Sequence, residues 1–202
     1  MCIRDRAKPA PLTRKYTVRR VDPGLGTVEI AVVAHGRGPG SRWAQALTPG
    51  DPVHLVGPKS GREAPEPGRF LLMVGDETGL PGIARWLEQL PADAVGRVIL
   101  EVPGPDSVQD LSAPAGVRLT WLVPGEEGPD GRPGDGDGAA SRGASPEADA
   151  RANTGEPGRA EVLAGRTALE VVERMPVPEG PAFAWLAGES AALRPVRRLL
   201  LE

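Results

Sequence analysis

Arg14-Lys15-Tyr16-Thr17 sets a guanidinium and a phenol two residues apart. On a strand Arg14 and Tyr16 share one face and Thr17 takes the other. An arginine forks onto a phosphate, and a tyrosine ring offers a flat surface with a polar tip. The pair suits a nucleotide-like ligand, but taken alone these residues fit a plain exposed polar strand better. A second stretch runs His35-Gly36-Arg37-Gly38-Pro39-Gly40-Ser41-Arg42-Trp43. Glycines there let backbone approach a ligand, and Ser41 stands in capping position before a helix. Unpaired N–H groups at such a start favour phosphate. An ordinary Gly/Pro loop, with Ser41 as cap and Trp43 as core anchor, fits as well.

Gly75-Asp76-Glu77-Thr78-Gly79 follows an apolar run, at what would be the carboxyl end of a parallel strand. Ligands bind at that edge in open α/β sheets. The stretch lacks the G-x-G-x-x-G dinucleotide fingerprint. Asp76 and Glu77 are adjacent and diverge on any regular element, so they are no acid/base pair. Their plainer role is favourable charge at a helix start. Gly188-Glu189 ends a later strand at the same kind of edge, or makes a tight turn into a helix. No nucleophile, general base or metal cluster emerges, so no residue is assigned as catalytic and none to a metal.

Elements must hold these residues in place. Alternation predicts strands over residues 12–20, 27–34 and 53–57, with a short helix over 41–47, as part of an antiparallel barrel. From residue 69 the pattern changes. The run Phe70-Leu71-Leu72-Met73-Val74 reads as a strand covered on both faces. Thr78 is expected to cap the next helix, whose Ile83, Trp86, Leu87 and Leu90 recur at helical spacing. Strands follow over 97–102, 117–123 and 182–187. Thr167 and Glu170 have capping-box spacing. Pro195 predicts that the last helix starts late or kinks. Residues 124–160 contain no Val, Ile, Leu, Met, Phe, Trp or Tyr, and are expected to form a disordered insertion. The organisation is therefore a non-native leader at 1–6, a barrel part at 7–60 and a parallel α/β domain at 61–202.

Composition narrows the classes. A net charge of −3 gives no sign of nucleic-acid binding. One cysteine cannot form an internal disulfide, and two distant histidines supply no zinc spacing. Cytoplasmic location is the default. No apolar run reaches the ~18 residues of a membrane span. A monomer is expected.

The four stretches, in this order, resemble the siderophore-interacting protein family over residues 12–200 outside the insertion. The resemblance implies a ferredoxin-reductase-like fold: a partial antiparallel FAD-binding β-barrel, then a parallel α/β NAD(P)-binding domain. It implies FAD held between the two, with NADP or NAD as the second cofactor and a ferric siderophore as substrate. Arg14 would contact the flavin phosphates, Tyr16 would pack on the flavin, and Thr17 would lie near its reactive ring. His35, Gly36, Gly38, Pro39, Gly40, Ser41 and Trp43 would cradle the pyrophosphate. Gly75, Asp76, Glu77, Thr78, Gly188 and Glu189 would face the nicotinamide nucleotide. Gly40, Gly79 and Gly82 stand where alanine is more usual in the family, which is expected to loosen these loops. The chain reads as lacking the barrel's opening strands and the family's closing strand. A ferredoxin-reductase-like carrier with a protein partner, or a truncated non-catalytic binding module, fits the same residues.

Overall fold

The computed structural model describes residues 13–34, 38–57, 61, 63–125 and 160–202. The chain divides into two compact units, 1–55 and 56–202.

In the first unit, β1 (Val18–Asp22) pairs antiparallel with β2 (Thr27–Ile30). The register places Val21 opposite Val28, and it shifts between Val18 and Arg20. Asp22 closes the turn by accepting the Leu25 N–H at 3.0 Å, and Gly26 supplies the left-handed residue that returns the chain (φ 64°). Helix α1 (Pro39–Ala46) follows.

The expected strand over 12–20 is paired only from Val18, the one over 27–34 only to Ile30, and 53–57 forms no strand. Alternation reports which residues favour extended backbone, but a strand exists only where a neighbour completes its ladder. The described part of this unit offers one ribbon.

The second unit is built on a five-stranded sheet with every neighbouring pair parallel. Its strands are β3 (Phe70–Asp76), β4 (Gly96–Glu101), β5 (Val117–Val123), β6 (Ala160–Ala164) and β7 (Ala182–Ala187), in the order β6-β5-β4-β3-β7. Helix α2 (Leu80–Leu87) covers one face, through Leu80, Ile83, Trp86 and Leu87 against Leu71, Met73, Val98, Leu100, Leu119 and Trp121. Helices α3 (Ala168–Glu173) and α4 (Ser190–Leu199) cover the other. There Ala168, Val172 and Val196 meet Leu72, Val74, Ile99 and Leu122. Alternate residues of β3, β4 and β5 thus enter opposite cores, which is why those strands read as unbroken apolar runs. Where β4 crosses to β5, a 3₁₀ turn (Pro105–Ser107) replaces a helix, and Val108, Leu111 and Ala113 pack on the first core.

The sequence reading passed over β6. Its Ala-Glu-Val-Leu-Ala run is too short and too weakly apolar to stand out, and Ala160 had been included in the expected insertion. Pairing with β5 makes it a strand, and the Thr120 hydroxyl donates to Glu161 at 2.7 Å across that pair. Pro124 and Gly125 are also described, whereas the rest of the expected insertion, 126–159, lies outside the described residues, as does the expected leader.

One expected cap is borne out and one is corrected. Thr167 and Glu170 form the reciprocal box at the start of α3, with bonds of 3.3 and 3.1 Å, and Glu101 accepts the Ala168 N–H at 2.9 Å. Thr78 does not cap α2: the cap position is Gly79, and the Thr78 hydroxyl turns back to Asp76. Helix α4 begins at Ser190 and includes Pro195, so it does not start late.

Because the box satisfies two backbone donors of α3, Thr167→Ala is expected to lower the unfolding free energy by about 1 kcal/mol. Urea unfolding checks this. A midpoint equal to wild type would show that the box contributes nothing.

Candidate functional site

In the first unit, the arginine-tyrosine stretch meets the glycine-rich stretch. A methyl group added at Gly40 would collide with the Tyr16 hydroxyl and lie 3.6 Å from Arg14 Cγ. Gly40 is therefore the point at which both side chains reach the start of α1. Gly38 is the cap residue and Pro39 the first helical residue, and no acid stands in the first turn. Pro39 has no N–H. Those of Gly40 and Ser41 have no partner within the helix, and the first intrahelical bond runs from Arg42 N to Gly38 O at 3.0 Å.

Two expectations for this stretch are corrected. Ser41 does not cap α1; it lies inside the helix, 4 % exposed, with its hydroxyl aimed at the Val33 carbonyl 3.5 Å away. Trp43 is 42 % exposed, so it is no core anchor. Tyr16 is 38 % exposed and Thr17 is half-buried. A cationic side chain, a partly exposed ring and helix N–H groups without an intrahelical partner fit a phosphate-bearing nucleotide. His35 and Gly36 lie outside the described residues.

In the second unit, the carboxyl ends of the neighbouring strands β3 and β7 carry the other predicted residues. The Ala187 carbonyl lies where a side chain at Gly75 or Gly79 would stand: 2.7 Å from the Cβ position of the first, and in direct collision with that of the second. This approach brings Asp76 to the β7–α4 turn. Asp76 Oδ1 accepts the Thr78 hydroxyl at 2.6 Å, the Thr78 N–H at 2.8 Å and, more weakly, the Gly79 N–H at 3.4 Å. Asp76 Oδ2 accepts the Glu189 N–H at 2.6 Å. A Cβ at Gly188 would sit 2.6 Å from that same oxygen. Glu77 is half-buried, and Glu189 is the exposed cap residue of α4, whose side chain makes no capping bond.

Burial pushes the Asp76 carboxyl up. The Thr78 hydroxyl and the N–H groups of Glu189, Thr78 and Gly79 outweigh it, leaving the pKa below the usual aspartate value.

The departures at Gly40, Gly79 and Gly82 do not loosen the loops. Each is a close contact, with the Tyr16 hydroxyl, the Ala187 carbonyl and the Trp185 ring respectively. Trp185 in turn stacks on Trp86, with ring centroids 4.7 Å apart. Sequence reasoning missed the Ala187 carbonyl altogether, since a main-chain group carries no residue-type signal. Among the described residues, no group of three or more His, Cys, Asp or Glu could hold a metal, and no helix is long and apolar enough to cross a membrane.

Two family models match this chain. Residues 69–202 match the siderophore-interacting protein model, and residues 3–62 match the siderophore-interacting FAD-binding domain. The crystal structure of a siderophore utilization protein from T. fusca superposes with a TM-score of 0.70 at 34 % identity, over 100 % of this chain and 64 % of that one. Ferric vibriobactin reductase of Vibrio cholerae is 36 % identical over 114 residues, 56 % of this chain and 42 % of the relative. The NADPH-dependent ferric-chelate reductase of Escherichia coli is 32 % identical over 127 residues, 61 % of this chain and 50 % of the relative. The chain spans about half the length of the curated relatives it matches.

The lowered Asp76 pKa makes a pH prediction. A carboxylate whose folded pKa lies below its unfolded value stabilises fully above the unfolded value, about 3.9. That contribution disappears as pH falls through the folded value. Asp76→Asn is therefore expected to be less stable than wild type near neutrality, with the difference shrinking below about pH 4. Urea unfolding across this range checks it; a pH-independent difference would contradict the assignment.

Proposed function

Because this chain belongs to the siderophore-interacting protein family, we propose that it binds FAD and passes electrons from NADPH or NADH to a ferric siderophore, releasing ferrous iron. The meeting of Arg14 and Tyr16 at Gly40, beside the start of α1, is the observation that carries the reading. The names of two relatives, a ferric vibriobactin reductase and an NADPH-dependent ferric-chelate reductase, support the substrate class and the electron donor.

FAD supplies the redox chemistry when bound, accepting a hydride as two electrons and releasing them singly. The protein's own residues bind and orient. The Arg14 guanidinium neutralises phosphate charge, and the N–H groups of Gly40 and Ser41 donate to phosphate oxygens. Tyr16 offers its ring as a packing surface, with Thr17 next to it in sequence. Gly38 caps the same helix, and Trp43 lies within it. In the second unit, the turns at Gly75–Thr78 and Gly188-Glu189 receive the nicotinamide nucleotide at the carboxyl edge of the sheet. Ferric iron enters as substrate inside its chelate. The chemistry requires no protein nucleophile or general base.

A visible absorption spectrum with and without added FAD tests cofactor binding directly. Arg14→Ala is expected to weaken FAD binding by about tenfold to a hundredfold, since a charge-assisted contact contributes ~1.5–3 kcal/mol. Unchanged affinity would remove Arg14 from the cradle. Ferrous iron trapped by a coloured chelator, after mixing with NADPH and a ferric siderophore, tests the reaction. Nucleotide oxidation without ferrous iron would point to a carrier with a protein partner instead.

A further inference from the structure

The bonds of Asp76 point to a different role from the nucleotide contact expected of it. The β3–β7 ladder ends at the pair Gly75 and Ala187. One step further the main chains no longer pair, and the Asp76 side chain takes over: its Oδ2 holds the Glu189 N–H at 2.6 Å, across 113 residues of sequence. Its other oxygen holds Thr78 through hydroxyl and N–H, and Gly79 more weakly. A carboxylate has about four lone-pair sites, and these four donors match that capacity. Oδ1 carries three of them and is fully engaged, and Oδ2 carries the Glu189 N–H.

We propose that Asp76 is a positioning residue: it clasps the β7–α4 turn to the β3–α2 turn, and so sets the backbone edge that receives the nicotinamide nucleotide. Three glycines make the clasp reachable. Gly75 and Gly79 admit the Ala187 carbonyl, and Gly188 leaves space for the carboxylate where any Cβ would meet it at 2.6 Å. Glu189 is also the cap residue of α4, so its N–H bond anchors the start of that helix. One charged group therefore registers two turns, each leading into a helix on an opposite face of the sheet.

This inference rests on the nucleotide site proposed above. Asp76→Asn keeps the shape but offers one acceptor oxygen and an NH2 group that only donates, so it can hold Thr78 or Glu189 but not both. In the full chain loaded with FAD, the expected result is a KM for NADPH raised about tenfold with kcat little changed, the pattern of lost ground-state positioning. Faster amide exchange at Glu189 should accompany it. Thr78→Ala removes one donor only and should raise KM about threefold, and Thr78→Ser, which keeps the hydroxyl, should restore most of the loss. The Thr78 pair decides the matter if Asp76→Asn does not fold. A lowered kcat with unchanged KM would place Asp76 at the reacting atoms and overturn the proposal. Unchanged KM and unchanged exchange at Glu189 would overturn it too. Failure of the wild-type protein to bind or oxidise NADPH would instead sink the nucleotide site itself, and the clasp's role with it.

Discussion

The Ala187 carbonyl can lie against the β3–α2 turn only because Gly75 and Gly79 present no side chain to it. Everything at the sheet's carboxyl edge depends on that approach. It lets Asp76 reach the Glu189 N–H, ties the start of α4 to the end of β3, and leaves the turns of two neighbouring strands fixed side by side. Backbone-to-backbone packing of this kind has little give. A flexible side chain can swing away from an intruding methyl, but a carbonyl held in a strand moves only with its strand.

The sheet beneath imposes its own demand. Parallel strands must be covered on both faces, and the covering elements here are short: eight residues in α2, six in α3 and ten in α4. Isolated helices of such length are marginal in water, so their apolar faces and caps must hold them. Trp86, Ile83 and Leu87 do this for α2, and the Thr167–Glu170 box with Glu101 does it for α3. Buried Trp121 shows the cost of a dense core, since its indole N–H has no hydrogen-bond partner among the described residues.

The first unit relies less on burial. Val21 and Val28 face each other across the ribbon yet remain about half exposed. Local polar bonds order its turns: Asp22 on Leu25 N–H, and Asp51 on the Thr48 N–H at 2.7 Å and hydroxyl at 3.0 Å. Those Thr48 bonds hold the exposed Asp51 carboxyl below its usual value. At Gly40 the same economy appears as contact, since the missing side chain is what admits Tyr16.

Residue types along the chain determined by themselves which segments would be buried on both faces, where the carboxyl ends of the parallel strands would fall, and that Thr167 and Glu170 would cap one another. Each rests on interactions within a few residues, or on hydrophobicity that burial must honour. The order of the four stretches also identified the family. Tertiary structure alone decided the rest. β6 became a strand because β5 lay beside it, and 53–57 did not because nothing among the described residues completes its ladder. Thr78 looked like a cap and became a donor to Asp76, while Ser41 sank into its helix. The three glycines expected to loosen the loops proved to be tight contacts. The physical reason is common to all of these: a ladder partner, a carbonyl in close approach and a carboxylate reaching across 113 residues are relations between distant segments, and no local run of residue types encodes them.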